Sequence, residues 1–182
     1  MDASTEIIGF LDECSPQTTS NTVRMWSFLK PTVYKKTDSY KANAFGFYSI
    51  NGRSVIDFMD QSRKEDVCMF FDKIRQNNPI GNITIILDNF QSHRSLVVRK
   101  RAEELSIRLV FLPPYSPDLN PIEYLWKSIK RVVSMTFIQS EWYLKRIIES
   151  AFLDISQFNS YSIGWMKKFI PAEYNKYRKL GI

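Results

Sequence analysis

Apolar and polar positions repeat with two different periods along this chain. Residues 6–14, EIIGFLDEC, make a short apolar run that closes on acids, the pattern of a buried strand. Residues 22–36, with TVRMWSFL and TVYKK broken at Lys30-Pro31, read as strand or extended segments. In residues 41–59, two β-rich runs flank Asn51-Gly52, a preferred two-residue hairpin turn. The period then lengthens. Apolar residues at 67, 70, 71 and 74 make a helical stripe within 62–79, with Pro79 as its stop. NITIILDNF (82–90) returns to strand, SLVVRKRAEELS (95–106) is a helix, and IRLVFLPP (107–114) is a strand ended by proline. Residues 120–137 and 141–156 are helices, and an aromatic-rich tail that is helical or irregular follows.

Strands with a hairpin, then alternating helix and strand, predict an α/β domain with a mixed five-stranded sheet and helices on both faces. An RNase H-like fold has this order. A length of 182 residues suits one such domain with a real core. The composition, 44% hydrophobic and 24% charged, is that of a folded chain, and no apolar run approaches the ~20 residues of a membrane span. MDASTEIIGF carries acids where a signal peptide would carry bases, which argues against export and for a cytoplasmic protein. Cys14 and Cys68 have no metal-ligand spacing and read as reduced thiols, and a single histidine, His93, argues against a conventional zinc site. A formal net charge of +6 is mild evidence for a polyanionic partner.

In the expected topology the first strand is central and the strand after the first helix lies parallel beside it. Asp12, near the end of the first run, and Asp88, ending NITIILDNF, would then face one another across a strand spacing of ~4.8 Å. Two carboxylates that close repel, and a divalent cation with oxygen ligands removes the conflict. Glu123 has two readings. In the first, Asn120 is the N-cap, Pro121 occupies N1, and Glu123 at N3 reaches back as in a capping box. In the second, the final strand brings this helix start to the open end of the sheet, and Glu123 becomes a third ligand. Asp118, within Ser116-Pro117-Asp118, is read as a turn former. Trp126 is read as core.

FLDEC, ILDNFQSHRS and LPPYSPDLNPIEYLWKSIKR resemble the three signature blocks of DDE transposases of the mariner superfamily, especially its bacterial and archaeal insertion-sequence branch. The 34 residues between Asp88 and Glu123 match that superfamily's spacing. The resemblance is strong over residues 6–135. It implies a DDE catalytic domain of RNase H-like fold spanning 1–182, with 138–182 a helical C-terminal extension and the N-terminal helix-turn-helix of full-length relatives absent.

The resemblance further implies a catalytic, metal-binding triad of Asp12, Asp88 and Glu123. FLDEC offers both Asp12 and Glu13, and the family pattern selects Asp12. Glu13, Asn89 and His93 are expected near the site. Arg94, Arg99, Lys100, Arg101, Lys127, Lys130 and Arg131 are expected on DNA backbone, the alternative for each cluster being a solvated helix face. The implied cofactor is Mg2+ or Mn2+, with two ions during catalysis. Implied partners are transposon-end and target DNA, a second copy in a homodimer, and a separate end-recognition helix-turn-helix polypeptide. In a prokaryote the protein would associate with the nucleoid. The rival readings are a catalytically inactive DNA-binding or assembly remnant of a transposase, and another RNase H-like nuclease.

Overall fold

The computed structural model describes residues 6–19, 28, 38–114, 116–158 and 160–171. Strand β1 (Ile7–Cys14) is the middle of a five-stranded sheet of order β3-β2-β1-β4-β5. Next to it, β2 (Ala44–Ser49) runs antiparallel and pairs in turn with antiparallel β3 (Val55–Phe58). On the other side, β4 (Ile83–Leu87) and then β5 (Ile107–Phe111) run parallel. The helices are α1 (Lys64–Asn77), α2 (Leu96–Glu104), α3 (Ile122–Met135), α4 (Glu141–Ser156) and α5 (Ser160–Phe169). The mixed sheet with a central first strand is as expected, and the helix stripe of Val67, Phe70, Phe71 and Ile74 is buried. Residues 22–36, read as extended, lie outside the described residues apart from Phe28.

Strand alternation divides the interior into two cores, one on each face of the sheet. Leu11, Phe45 and Phe47 join α1 and α2 in one. Phe10, Ala44 and Tyr48 join α3 and α4 in the other. Position 46 shares this second face, and it is glycine because Trp126 fills the space above it; a Cβ there would sit 2.6 Å from Trp126 Cζ2. Trp126 is buried and packs on Phe152 at 5.6 Å, a core residue as expected.

The hairpin exists, but its turn differs from the expected one. β2 stops at Ser49 and β3 starts at Val55, and neither Asn51 nor Gly52 has the positive φ that a type I′ turn requires. Asn51 instead binds the beginning of β1, accepting from the Ile8 amide at 2.9 Å and donating to the Glu6 carbonyl at 2.8 Å. Bonding to the neighbouring strand outweighs the local turn preference.

Beyond residue 138 the described segment is helical over α4 and α5. It is fastened to the sheet where the Tyr48 hydroxyl donates to the Phe158 carbonyl at 3.2 Å, and Trp165 packs edge-on against Phe10 at 5.1 Å. Both cysteines are free thiols. Burial pushes the Cys14 pKa up to about 11, with Lys130 pulling against it, so the thiol stays protonated near neutral pH. Among the described residues, no helix is long and apolar enough to cross a membrane.

Candidate active site

The acids reach a common place because three elements end there. Along β1, Asp12 shares the α3 side with Phe10 and Cys14, whereas Glu13 shares the α2 side with Leu11. The parallel register pairs Phe10 with Ile86; continued two residues, it sets Asp12 level with Asp88, the first residue past β4. β5 leads through a 3-10 turn, Pro117–Leu119, into α3, whose first turn carries Glu123. Asp12, Asp88 and Glu123 line one cavity of about 680 Å³, together with Asn89, Arg94 and Asn120.

Electrostatics differ sharply among these groups. Burial pushes Asp12 well above the ordinary carboxylate range, and repulsion from Glu123, Glu13 and Asp88 adds to it. Asp88 is held below that range, chiefly by its hydrogen bond from His93. His93 is fully buried, with Nδ1 2.8 Å from Asp88 Oδ1 and Nε2 2.9 Å from Glu13 Oε1. Burial alone would lower its pKa, but the two carboxylate partners outweigh burial and raise it to about 10. An imidazolium donating from both nitrogens therefore ties the end of β1 to the residue after β4. Glu13 and His93 thus stand directly beside the acids. Asn89, which also lines the cavity, serves the backbone: its side-chain amide donates to the Leu112 carbonyl and links the ends of β4 and β5.

The capping reading of Glu123 does not hold. Asn120 Nδ2 donates instead to the Leu11 carbonyl at 3.3 Å, and the first turn of α3 is closed by the Glu123 amide donating to the Asn120 carbonyl at 3.1 Å. No side chain caps this helix. A buried contact with β1 has displaced the local motif, leaving the Glu123 carboxylate at the cavity. The turn before it is braced from α5, where Trp165 Nε1 donates to the Leu119 carbonyl at 2.8 Å. Nothing in the sequence pairs Trp165 with that turn; the aromatic richness of the tail was the only signal. Asp118 lies in the turn, as expected.

The donor chemistry suits a hard divalent cation. Three carboxylates face one cavity, one of them desolvated among the others, and the buried Asn120 Oδ1 beside them has no hydrogen-bond partner. Among the described residues, no three His, Cys, Asp or Glu side chains are closed up into a ready ligand cluster. The acids are neighbours whose oxygens are not drawn onto a single point.

The expected basic residues divide into groups. Arg94 lines the acid cavity. Lys127, Lys130 and Arg131 line an adjoining groove of about 460 Å³ that also contains Glu123. Arg99 faces elsewhere, 5.8 Å from the Phe111 ring centroid and beside a different cavity that includes Glu6 and Arg108. Lys100 is exposed on α2. Arg101 is paired with Asp72 and, at 2.8 Å, with Glu104, so it braces α2 against α1.

The strand order places β1 at the centre, Asp12 and Asp88 toward the ends of β1 and β4, and Glu123 on the helix after β5. The chain belongs to the DDE superfamily endonuclease family, whose model matches residues 8–144. Over 44 residues it is 46% identical to the Transposable element Tc1 transposase of Caenorhabditis elegans, covering 24% of this chain and 16% of that protein. The Mos1 transposase paired-end complex with left transposon end superposes with a TM-score of 0.69 at 18% identity, covering 93% of this chain and 53% of that one. The catalytic domain of Mos1 mariner transposase gives a TM-score of 0.61 at 18% identity, covering 94% and 79%. The chain thus spans about half the length of the transposase in the paired-end complex. These structural likenesses carry the fold, which is RNase H-like as expected.

Proposed function

We propose that this chain is the catalytic domain of a mariner-superfamily transposase, cutting DNA at transposon ends and joining the freed ends to target DNA. The observation that carries the reading is the convergence of Asp12, Asp88 and Glu123 on one cavity that adjoins a groove lined by Lys127 and Arg131. The family match over residues 8–144 supports it.

In this reading Asp12, Asp88 and Glu123 hold Mg2+ or Mn2+. A bound pair of such ions supplies activation of the attacking oxygen and stabilisation of the leaving one. The protein's own part is placement. His93 fixes one oxygen of Asp88 and the carboxylate of Glu13, and Asn120 fixes the start of α3 against β1. Arg94, Lys127 and Arg131 receive DNA phosphates, each neutralised phosphate steepening the salt dependence by about 0.9 in log–log slope. The reading includes a homodimer, because two ends must be joined, and an end-reading helix-turn-helix that acts with this domain. It also includes a location with the cellular DNA, in a prokaryote the nucleoid. Placement in the bacterial and archaeal branch rests on the sequence blocks; the Tc1 relative is a nematode protein.

The test is nicking of labelled DNA by the 182-residue chain with Mg2+ or Mn2+ and with EDTA, beside Mn2+ titration calorimetry. Asp88→Asn and Glu123→Gln should each abolish metal-dependent nicking and weaken Mn2+ binding while the circular dichroism spectrum is retained. Near-normal cleavage by either variant removes the triad. A wild-type chain that binds DNA but neither cuts it nor binds Mn2+ is the inactive remnant instead.

A further inference from the structure

Beside Glu123 lies a feature that the cutting chemistry does not use. Tyr124 is 41% exposed and lines the same groove as Glu123, Lys127 and Arg131. Its ring stacks on Tyr161 of α5, with centroids 6.3 Å apart and planes 14° from parallel. The Tyr161 hydroxyl is 2.8 Å from Ser128 Oγ, so the second ring is anchored back onto α3 one turn beyond Tyr124.

Tyr161 of α5 also packs against the core, yet Tyr124 stays exposed at the groove. That helix is already secured by Trp165 on the Leu119 carbonyl and on Phe10, and by the Tyr48 hydroxyl on Phe158 just before it. Positions 124, 127, 128 and 131 follow i, i+3, i+4, i+7 and occupy one helix face. That face spans about 10 Å from Tyr124 to Arg131, roughly three nucleotide rises of 3.4 Å. An oriented aromatic plane at the end of a cationic stripe is how proteins take unpaired nucleic acid: phosphates meet the cations and a base lies on the ring. A base within a duplex has both faces covered, so only one that has left the stack can use the plane.

We propose that Tyr124, supported by Tyr161, forms a nucleobase-stacking subsite that receives an unpaired base of the DNA strand end held at Glu123. This deepens the transposase reading and rests on it. Because Tyr161 holds the platform in place beforehand, little conformational freedom is lost on binding.

The experiment compares the affinity of the full 182-residue chain for a blunt duplex and for the same duplex with a three-nucleotide unpaired tail. A 2-aminopurine in the tail reports stacking by quenching. Wild type should favour the tailed duplex and quench the fluorophore. Tyr124→Ala should reduce that preference roughly 5- to 150-fold and restore fluorescence, the loss expected for one base stack. Tyr124→Phe should keep both. An alanine variant that retains the preference, or a phenylalanine variant that loses as much as alanine, overturns the subsite.

A measurement on wild type covers the case in which Tyr124→Ala does not fold. Photocrosslinking of a 5-iodouracil tail, mapped by mass spectrometry, should label Tyr124 or Tyr161, and labelling confined to other residues overturns the proposal. Absence of affinity for either DNA overturns the transposase reading itself, whereas equal affinity for both sinks only the subsite.

Discussion

Replacing His93 with Gln tests whether the imidazolium clamp is real. The folded pKa of His93 is about 10, against an ordinary value of 6.5, because Asp88 and Glu13 accept from its two nitrogens. The folded state therefore binds this proton more tightly than the unfolded state does. The clamp's contribution is fully present below about pH 6.5 and is lost as pH rises through about 10. Each pKa unit corresponds to about 1.4 kcal/mol, so the full contribution is on the order of 4–5 kcal/mol, a large part of a domain's stability. Urea unfolding measured between pH 6 and 10, with EDTA to exclude cations, should show wild type losing up to about 1.4 kcal/mol per pH unit more than His93→Gln. Parallel pH profiles for the two proteins would refute the double-donor imidazolium and leave His93 a neutral core residue.

Three further outcomes follow from the packing. Gly46→Ala should destabilise the domain by about 1–3 kcal/mol, read from denaturant midpoints, because the new methyl meets Trp126 at 2.6 Å. Arg75→Ala should lower the melting temperature by about 5–10 °C, since its guanidinium donates to the carbonyls of Asn78, Gly81, Leu105 and Ser106 and staples the α1 end to the loop before β5. Trp165→Phe should cost about 1 kcal/mol by removing the bond to the Leu119 carbonyl, and hydrogen exchange should quicken at the amides of Leu119 and Asn120.

Elements were legible wherever a hydrophobic period was long and unopposed. The stripe of α1 and the apolar run of β1 reappear within a residue or two of their expected ends, and β4 stops three residues short of its expected end, just before Asp88. The opposition of Asp12 and Glu13 was legible too, because successive strand residues face opposite ways whatever surrounds them. The local motifs were misread where a tertiary contact competed for the same atoms. Asn51-Gly52 carries turn chemistry, yet the Asn51 side chain is engaged by β1. Asn120 and Glu123 carry capping chemistry, yet the Asn120 amide goes to Leu11.

By itself, then, the sequence determined the strand and helix order, the candidacy of three acids and the one histidine between them. Which acids would meet, and under what charge, was decided only in the folded chain. Burial of Asp12, the two-sided clamp of His93 and the bracing of the Glu123 turn by Trp165 all join residues many positions apart. Periodicity reports which side of an element is apolar. It carries no information about which distant polar atom will complete a hydrogen bond, and at this site those bonds set both geometry and charge.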